Sequence, residues 1–235
     1  MAQASSNTAG NPAQSLPEQY NASAVFLDSA LAQGWGDRIA IRTQTETLTY
    51  AQLAEQANRA GNGLAALGVE MEQRVALLLY DSPQFAATFF GAIRLGAVAV
   101  PFNTQLRPQD YLYLLNDSRA HVLVAETDLW QQIAPMRRQM PYLRHVVLVH
   151  RGEASGIDPN TVDYAALLSG ASATLAIAPT TSDDAAFWLY SSGSTGFPKG
   201  CVHLQHDMEY CVEHYAKPIL NLRPDDITFS AAKLF

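Results

Sequence analysis

The sequence predicts an α/β fold, mainly parallel sheets covered by helices. Three observations point to it. Apolar runs such as Arg74–Tyr80 and His121–Glu126 carry few polar interruptions, as strands buried on both faces do. Segments with helical periodicity lie between them. Of the 235 residues, 48% are apolar, enough for a sizeable core.

The elements follow in order. Met1–Leu16 is Ala, Ser, Asn, Gln and Gly with almost no large apolar residue, too little to offset its ordering entropy. Residues 1–20 are therefore expected to form a disordered tail. Ala24–Ala32 reads as a short helix with Ser23 as N-cap. "RIAIRT" and "TLTY" read as two short strands joined by a turn. Thr49 and Gln52 have capping-box spacing, and Leu53, Ala57, Ala60, Leu64 and Leu67 follow on one helical face that Gly68 ends. Arg74–Tyr80 is a strand; Ser82-Pro83 caps the next helix, which stops at Gly96. "AVAVPFN" is a strand and Pro108 opens a helix. "HVLVAE" is a strand, Leu129–Met140 a helix and "HVVLVH" a strand. Arg151–Ser182 reads as a connection with one short helix near Tyr164–Leu168. "AAFWLY" is a buried strand, Leu204–Ile219 a helix, and "DITFSAAKLF" a strand.

Composition narrows the function. The formal net charge is −7 and no Lys/Arg-rich run occurs, which argues against nucleic acid. No run reaches the length of a membrane span, so no membrane partner is expected. The first basic residue is Arg38, so a secretory leader is not expected, and two cysteines make no disulfide framework. Both point to a reducing, cytoplasmic setting, in which Asn21-Ala22-Ser23 is a chance match to a glycosylation acceptor.

The segment "LYSSGSTGFPKGCVH" carries the functional signal. Between a strand and the expected helix stand Ser191, Ser192, Gly193, Ser194, Thr195, Gly196, Phe197, Pro198, Lys199 and Gly200. Glycines let backbone N–H groups turn toward an anion, Ser and Thr hydroxyls add donors, and a lysine adds positive charge. The spacing is not that of a Walker A loop. Pro198 stands where the second glycine is required, and Gly200 where Ser or Thr would bind magnesium. Pro198 also stiffens the loop, which suggests a shaped hairpin rather than a wrap around a helix N-terminus.

"YSSGSTGFPKG" resembles the phosphate-loop signature of the acyl-adenylate-forming superfamily, the AMP-dependent synthetases and ligases. "LTYAQLAEQANRAGNGLAALGV" and "RVALLLYDSPQFAATFFGAIRLGAVAVPFN" are similar to its N-terminal helix and the strand and helix that follow. "FWLYSSGSTGFPKG" with "FSAAKLF" looks most like the benzoate-CoA ligases. The resemblance implies an ATP-dependent activation of an aromatic acid as acyl-AMP, then transfer to coenzyme A, with ATP, Mg2+ and CoA as cofactors. It implies that Ser191, Ser192, Gly193, Ser194, Thr195, Gly196 and Lys199 hold the β- and γ-phosphates that leave as pyrophosphate. It also implies that residues 21–235 form part of the large N-terminal domain, because the adenine, ribose and magnesium motifs and the catalytic lysine are not found here. The acyl pocket's aromatic segment is expected from about Phe235. No catalytic residue and no metal ligand is assigned within the chain, which alone is expected to be inactive. The expected partner is an aryl carboxylic acid, and a homodimer is compatible with the same resemblance.

Alternatives remain at this point. A fatty-acid or amino-acid adenylating relative would carry the same loop, since it touches only ATP. A folded, non-catalytic fragment is the reading from another class. His203, His206 and His214 read as a polar helix face rather than metal ligands, and Cys201 has no identifiable base. Asp183-Asp184 and Asp225-Asp226 read as turn and cap residues, and Trp188 as core.

Overall fold

The computed structural model describes residues 17–151, 159–191, 196–229 and 231–235. A π-helical turn, Ala24–Asp28, runs into α1 (Ser29–Ala32). An antiparallel ribbon follows, β1 (Ile39–Arg42) and β2 (Thr47–Thr49). Then come α2 (Tyr50–Ala66), β3 (Arg74–Leu78), α3 (Pro83–Arg94), β4 (Val98–Pro101) and α4 (Pro108–Asp117). Next are β5 (Val122–Glu126), α5 (Thr127–Ile133) with a 3-10 extension Ala134–Gln139, β6 (His145–Val149), β7 (Val162–Asp163) and α6 (Tyr164–Ser169). The chain continues through β8 (Ala185–Ser191), β9 (Lys199–Leu204), α7 (Asp207–Cys211) and a second π-helical turn, Val212–Ala216.

The described residues form a seven-stranded sheet in the order β7–β6–β5–β3–β4–β8–β9. Every neighbouring pair is parallel except β8–β9. Side chains alternate across such a sheet, and both sets are buried here. Val75 and Leu77 of β3 join a core with Leu64 of α2, Phe85 and Ile93 of α3 and Tyr164 of α6. Ala76 and Leu78 join the opposite core with Tyr111, Leu114 and Leu115 of α4 and Leu129, Trp130 and Ile133 of α5. That two-sided burial is why the strands read as unbroken apolar runs.

The expected caps on α2 and α3 form. Thr49 Oγ1 accepts from the Gln52 amide and Gln52 Oε1 from the Thr49 amide. Ser82 Oγ accepts from the Phe85 amide, with Pro83 opening the helix. Gly68 and Gly96 end these helices at φ +79°, which L side chains rarely adopt. Between them α2 and α3 meet backbone to backbone. A Cβ on Gly91 would lie 2.6 Å from the Ala57 carbonyl oxygen and 2.8 Å from the Gly61 nitrogen.

Several expectations need correction. Ser23 is already helical and makes no cap; Asn21 Oδ1 accepts its amide instead. The folded unit takes in Tyr20, one residue before the expected boundary at 21; it is buried and its amide donates to the Thr180 carbonyl at 2.7 Å. Residues 1–16 lie outside the described residues. The Leu129–Met140 helix stops being α-helical at Ile133, because Pro135 has no N–H for the α ladder. The Leu204–Ile219 helix starts only at Asp207, since Lys199–Leu204 is spent as a strand on β8. "DITFSAAKLF" forms no strand in its described residues. It finds no backbone ladder, and Ile227 and Phe229 are 82% and 92% exposed.

The Gly/Ser/Thr-rich connection before β8 is tied down by side chains from α2. Asn58 Nδ2 donates to the Ala173 carbonyl at 2.9 Å, and Asn62 Nδ2 to those of Ser172 and Thr174 at 2.9 Å. Arg59 Nη1 donates to Ala171, and buried Arg94 donates to Leu175 while pairing Asp28 at 2.8 Å. These bonds replace the missing secondary structure and deliver the chain to β8 in a set place.

The Gly61–Gly91 contact sets a signed expectation. Alanine favours a helix over glycine by about 1 kcal/mol, but overpacking against backbone costs about 1–3 kcal/mol or more. Gly91→Ala is therefore expected to lower the urea-unfolding free energy, by about 2 kcal/mol. An unchanged or raised midpoint would show that α2 and α3 separate freely.

Candidate functional site: the β8–β9 hairpin

The glycine-rich segment closes a β-hairpin, as its proline suggested. Trp188 pairs with Val202, Leu189 with Cys201, Tyr190 with Gly200, and Ser191 with Lys199. On its other flank β8 lies parallel to β4, with Ala99 opposite Phe187. The ladder ends at Ser191 and Lys199, so the first and last residues expected to hold phosphate face each other across the hairpin. Both are exposed, and Lys199 has no ion-pair partner among the described residues. Gly196 sits at φ +159° with no atom within 4 Å of a would-be Cβ, so its conformation rather than crowding favours glycine. Ser192, Gly193, Ser194 and Thr195 lie outside the described residues.

Both arms of the hairpin are anchored in the fold. Phe197 stacks on Tyr113 of α4, with centroids 4.7 Å apart and planes at 21°. The Tyr113 hydroxyl donates to the Pro198 carbonyl at 3.1 Å. On the other arm the Tyr190 hydroxyl donates to Asp117 Oδ2 at 2.7 Å, and its ring meets the edge of Phe102. Burial, then the hydrogen bond and charge of Asp117, push the Tyr190 phenol well above its usual range. Trp188 is half-buried under the guanidinium of Arg74, and Phe187 stacks on His203 at 4.5 Å. Beneath the hairpin is a cavity of about 200 Å³ lined by residues that include Asn103, Leu106, Tyr190, Pro198 and Phe235.

Sequence reasoning missed Tyr113 and Asp117. They sit four apart on one helix, and nothing in the chain announces partners more than 70 residues away.

The other candidates take ordinary roles. His203 lies on β9 and His206 in the turn after it, so the two do not share the helix face expected of them. They flank Asp207, at 3.3 and 3.4 Å. His214 packs on Tyr210. Among the described residues no group of three His, Cys, Asp or Glu side chains is placed to hold a metal. Asp184 and Asp226 accept the amides of Thr181 and Arg223, as turn and cap residues do. Cys201 and Cys211 are free and exposed. Asn21 is 3% exposed, its amide spent on the Ile93 carbonyl. No helix among the described residues is long and apolar enough to cross a membrane.

A mainly parallel sheet with this hairpin at its edge defines a class. The chain belongs to the AMP-binding enzyme family, whose sequence profile matches residues 29–235. It is 42% identical to a benzoate–CoA ligase of Thauera aromatica over 95% of the chain and 41% of that protein. It is 40% identical to a 4-hydroxybenzoate–CoA/benzoate–CoA ligase of Rhodopseudomonas palustris over 92% of the chain and 39% of that protein. Among solved structures it is similar to the anthranilate CoA ligase AuaEII in complex with anthranoyl-AMP. The TM-score is 0.88 at 34% identity, over 93% of the chain and 41% of that structure. A benzoate CoA ligase from Burkholderia xenovorans LB400 superposes with TM-score 0.79 at 32% identity, over 92% of the chain and 40% of that structure. The chain thus spans about 40% of the length of these relatives.

The Tyr190–Asp117 bond has a pH signature. The folded state holds the phenol protonated more tightly than the unfolded chain, whose tyrosines titrate near 10. Its contribution is complete below pH 10 and is lost as pH rises above that. Wild type is expected to lose stability more steeply than Tyr190→Phe from about pH 10 upward. Parallel urea midpoints in the two proteins over that range would contradict the assignment.

Proposed function

We propose that the chain carries the phosphate grip of an AMP-forming aryl acid–CoA ligase, with benzoate or a close aryl acid as substrate. The observation that carries this reading is the hairpin itself, which sets Ser191 opposite Lys199 at the mouth of a Ser/Thr/Gly loop. The similarity to ligases named for benzoate and hydroxybenzoates supports the choice of acid. A fatty acid or an amino acid is the weaker reading, since none of these relatives is named for one.

In this reading the acid's carboxylate attacks the α-phosphate of ATP, and pyrophosphate leaves. Ser191, Ser192, Gly193, Ser194, Thr195, Gly196 and Lys199 hold the β- and γ-phosphates. Donors fixed along the leaving group stabilise the charge that develops on it, by position rather than by reorganisation. The thiol of coenzyme A then attacks the acyl carbon, the acyl–phosphate bond breaks and AMP leaves. The described residues offer no cluster of ligands for Mg2+, so no step is assigned to the metal here. Residues 20–235 are one part of the adenylating domain, and turnover needs the further length that the relatives have. A cytoplasmic location fits the two free thiols, and the reading admits a homodimer.

Single-turnover kinetics in the active enzyme test this. Thr195→Ala and Lys199→Ala are each expected to slow adenylate formation by about 10²–10³, the usual cost of one positioned donor, with acyl transfer to CoA nearly unchanged. Benzoate should outcompete palmitate and amino acids. Slowed transfer with normal adenylation would contradict the role of the loop, and a preference for palmitate or an amino acid would contradict the aryl assignment.

A further inference from the structure

We propose that α4 is the positioning element of the phosphate loop: Tyr113 and Asp117, one turn apart, clamp the two arms of the β8–β9 hairpin at the residues that directly precede Lys199 and Ser191. The inference rests on the phosphate-binding reading of that loop.

The geometry is specific to the loop's two ends. Tyr113 donates to the carbonyl of Pro198 and stacks on Phe197, so one side chain grips two consecutive residues of the returning arm. The Pro198 carbonyl and the Lys199 N–H belong to one planar trans peptide. Holding the carbonyl therefore fixes the plane from which Lys199 departs, and Pro198 restricts φ on the other side. On the outgoing arm Asp117 holds the hydroxyl of Tyr190, the residue before Ser191. Tyr190 also faces Gly200, where a Cβ would lie 3.6 Å from its ring.

Residues i and i+4 share a helix face, so the two contacts are rigidly linked. α4 is seated on the sheet by buried Tyr111, Leu114 and Leu115. The distance between the hairpin arms at the loop mouth is thereby referred to the core, not left to the loop. Pre-set donors of this kind lower the cost of ordering the site when phosphate binds. Tyr113 and Asp117 are positioning residues in this scheme and touch no reacting atom.

Two readouts test the clamp. The first is tryptic cleavage after Lys199, followed by mass in the chain itself. Tyr113→Leu and Asp117→Ala are expected to be cleaved there about tenfold faster, the equivalent of about one lost hydrogen bond. Tyr113→Phe, which keeps the ring, should be intermediate, and Asp117→Asn, which keeps an acceptor oxygen, should approach wild type. The second is steady-state kinetics in the active enzyme, with Lys199→Ala as reference. The same variants should raise KM for ATP about three- to tenfold with KM for the acid unchanged, and Asp117→Asn should restore it. Unchanged cleavage in Tyr113→Leu and Asp117→Ala overturns the clamp. Faster cleavage with normal kinetics for ATP marks a merely structural contact and overturns its positioning role. An adenylation rate and a KM for ATP that are both unaffected in Lys199→Ala instead overturn the phosphate reading, and the clamp's purpose with it.

Discussion

The antiparallel pairing of β9 on β8 is the interaction on which the site depends. A parallel sheet cannot present a short loop between adjacent strands, because parallel neighbours need long crossover connections. Reversing the chain at β8 changes that. Ser191 and Lys199 become cross-strand partners, so the Ser/Thr/Gly-rich segment between them joins two adjacent strands. β8 itself is fixed on its other side by β4, and Phe187 meets Phe89 of α3 edge to face.

The hairpin also leaves the outer strand exposed among the described residues. β9 is the last strand of the sheet among the described residues, and its first four residues, Lys199–Val202, are exposed. Lys199 is the charge that the phosphate reading requires.

Much of the fold was legible because local and tertiary preferences agree there. The capping box at Thr49, the Ser82-Pro83 start and the buried face from Leu53 to Leu64 are short-range patterns with one physical solution. The hairpin was legible from Pro198, which resists a wrap around a helix. The misreadings came where a long-range partner decided the outcome. Lys199–Leu204 became a strand because β8 was available to it, which shortened the helix expected after it. The Asp226–Phe235 segment has strand-like composition but no ladder partner in its described residues, so composition alone could not make it a strand. Tyr113, Asp117, Asn58 and Arg59 were invisible as site or tether residues, since each acts on a carbonyl or hydroxyl far along the chain.

As proposed, the hairpin mouth of Ser191 and Lys199 holds the nucleotide's phosphates, and the sheet beneath it is expected to stay in place as it does so. Amide hydrogen exchange in the active enzyme, with and without saturating MgATP, tests it most directly. The amides of residues 192–197 are expected to slow markedly with MgATP, while those of Arg74–Leu78 in β3 stay unchanged. Loop amides that exchange at the same rate in both states would contradict the account.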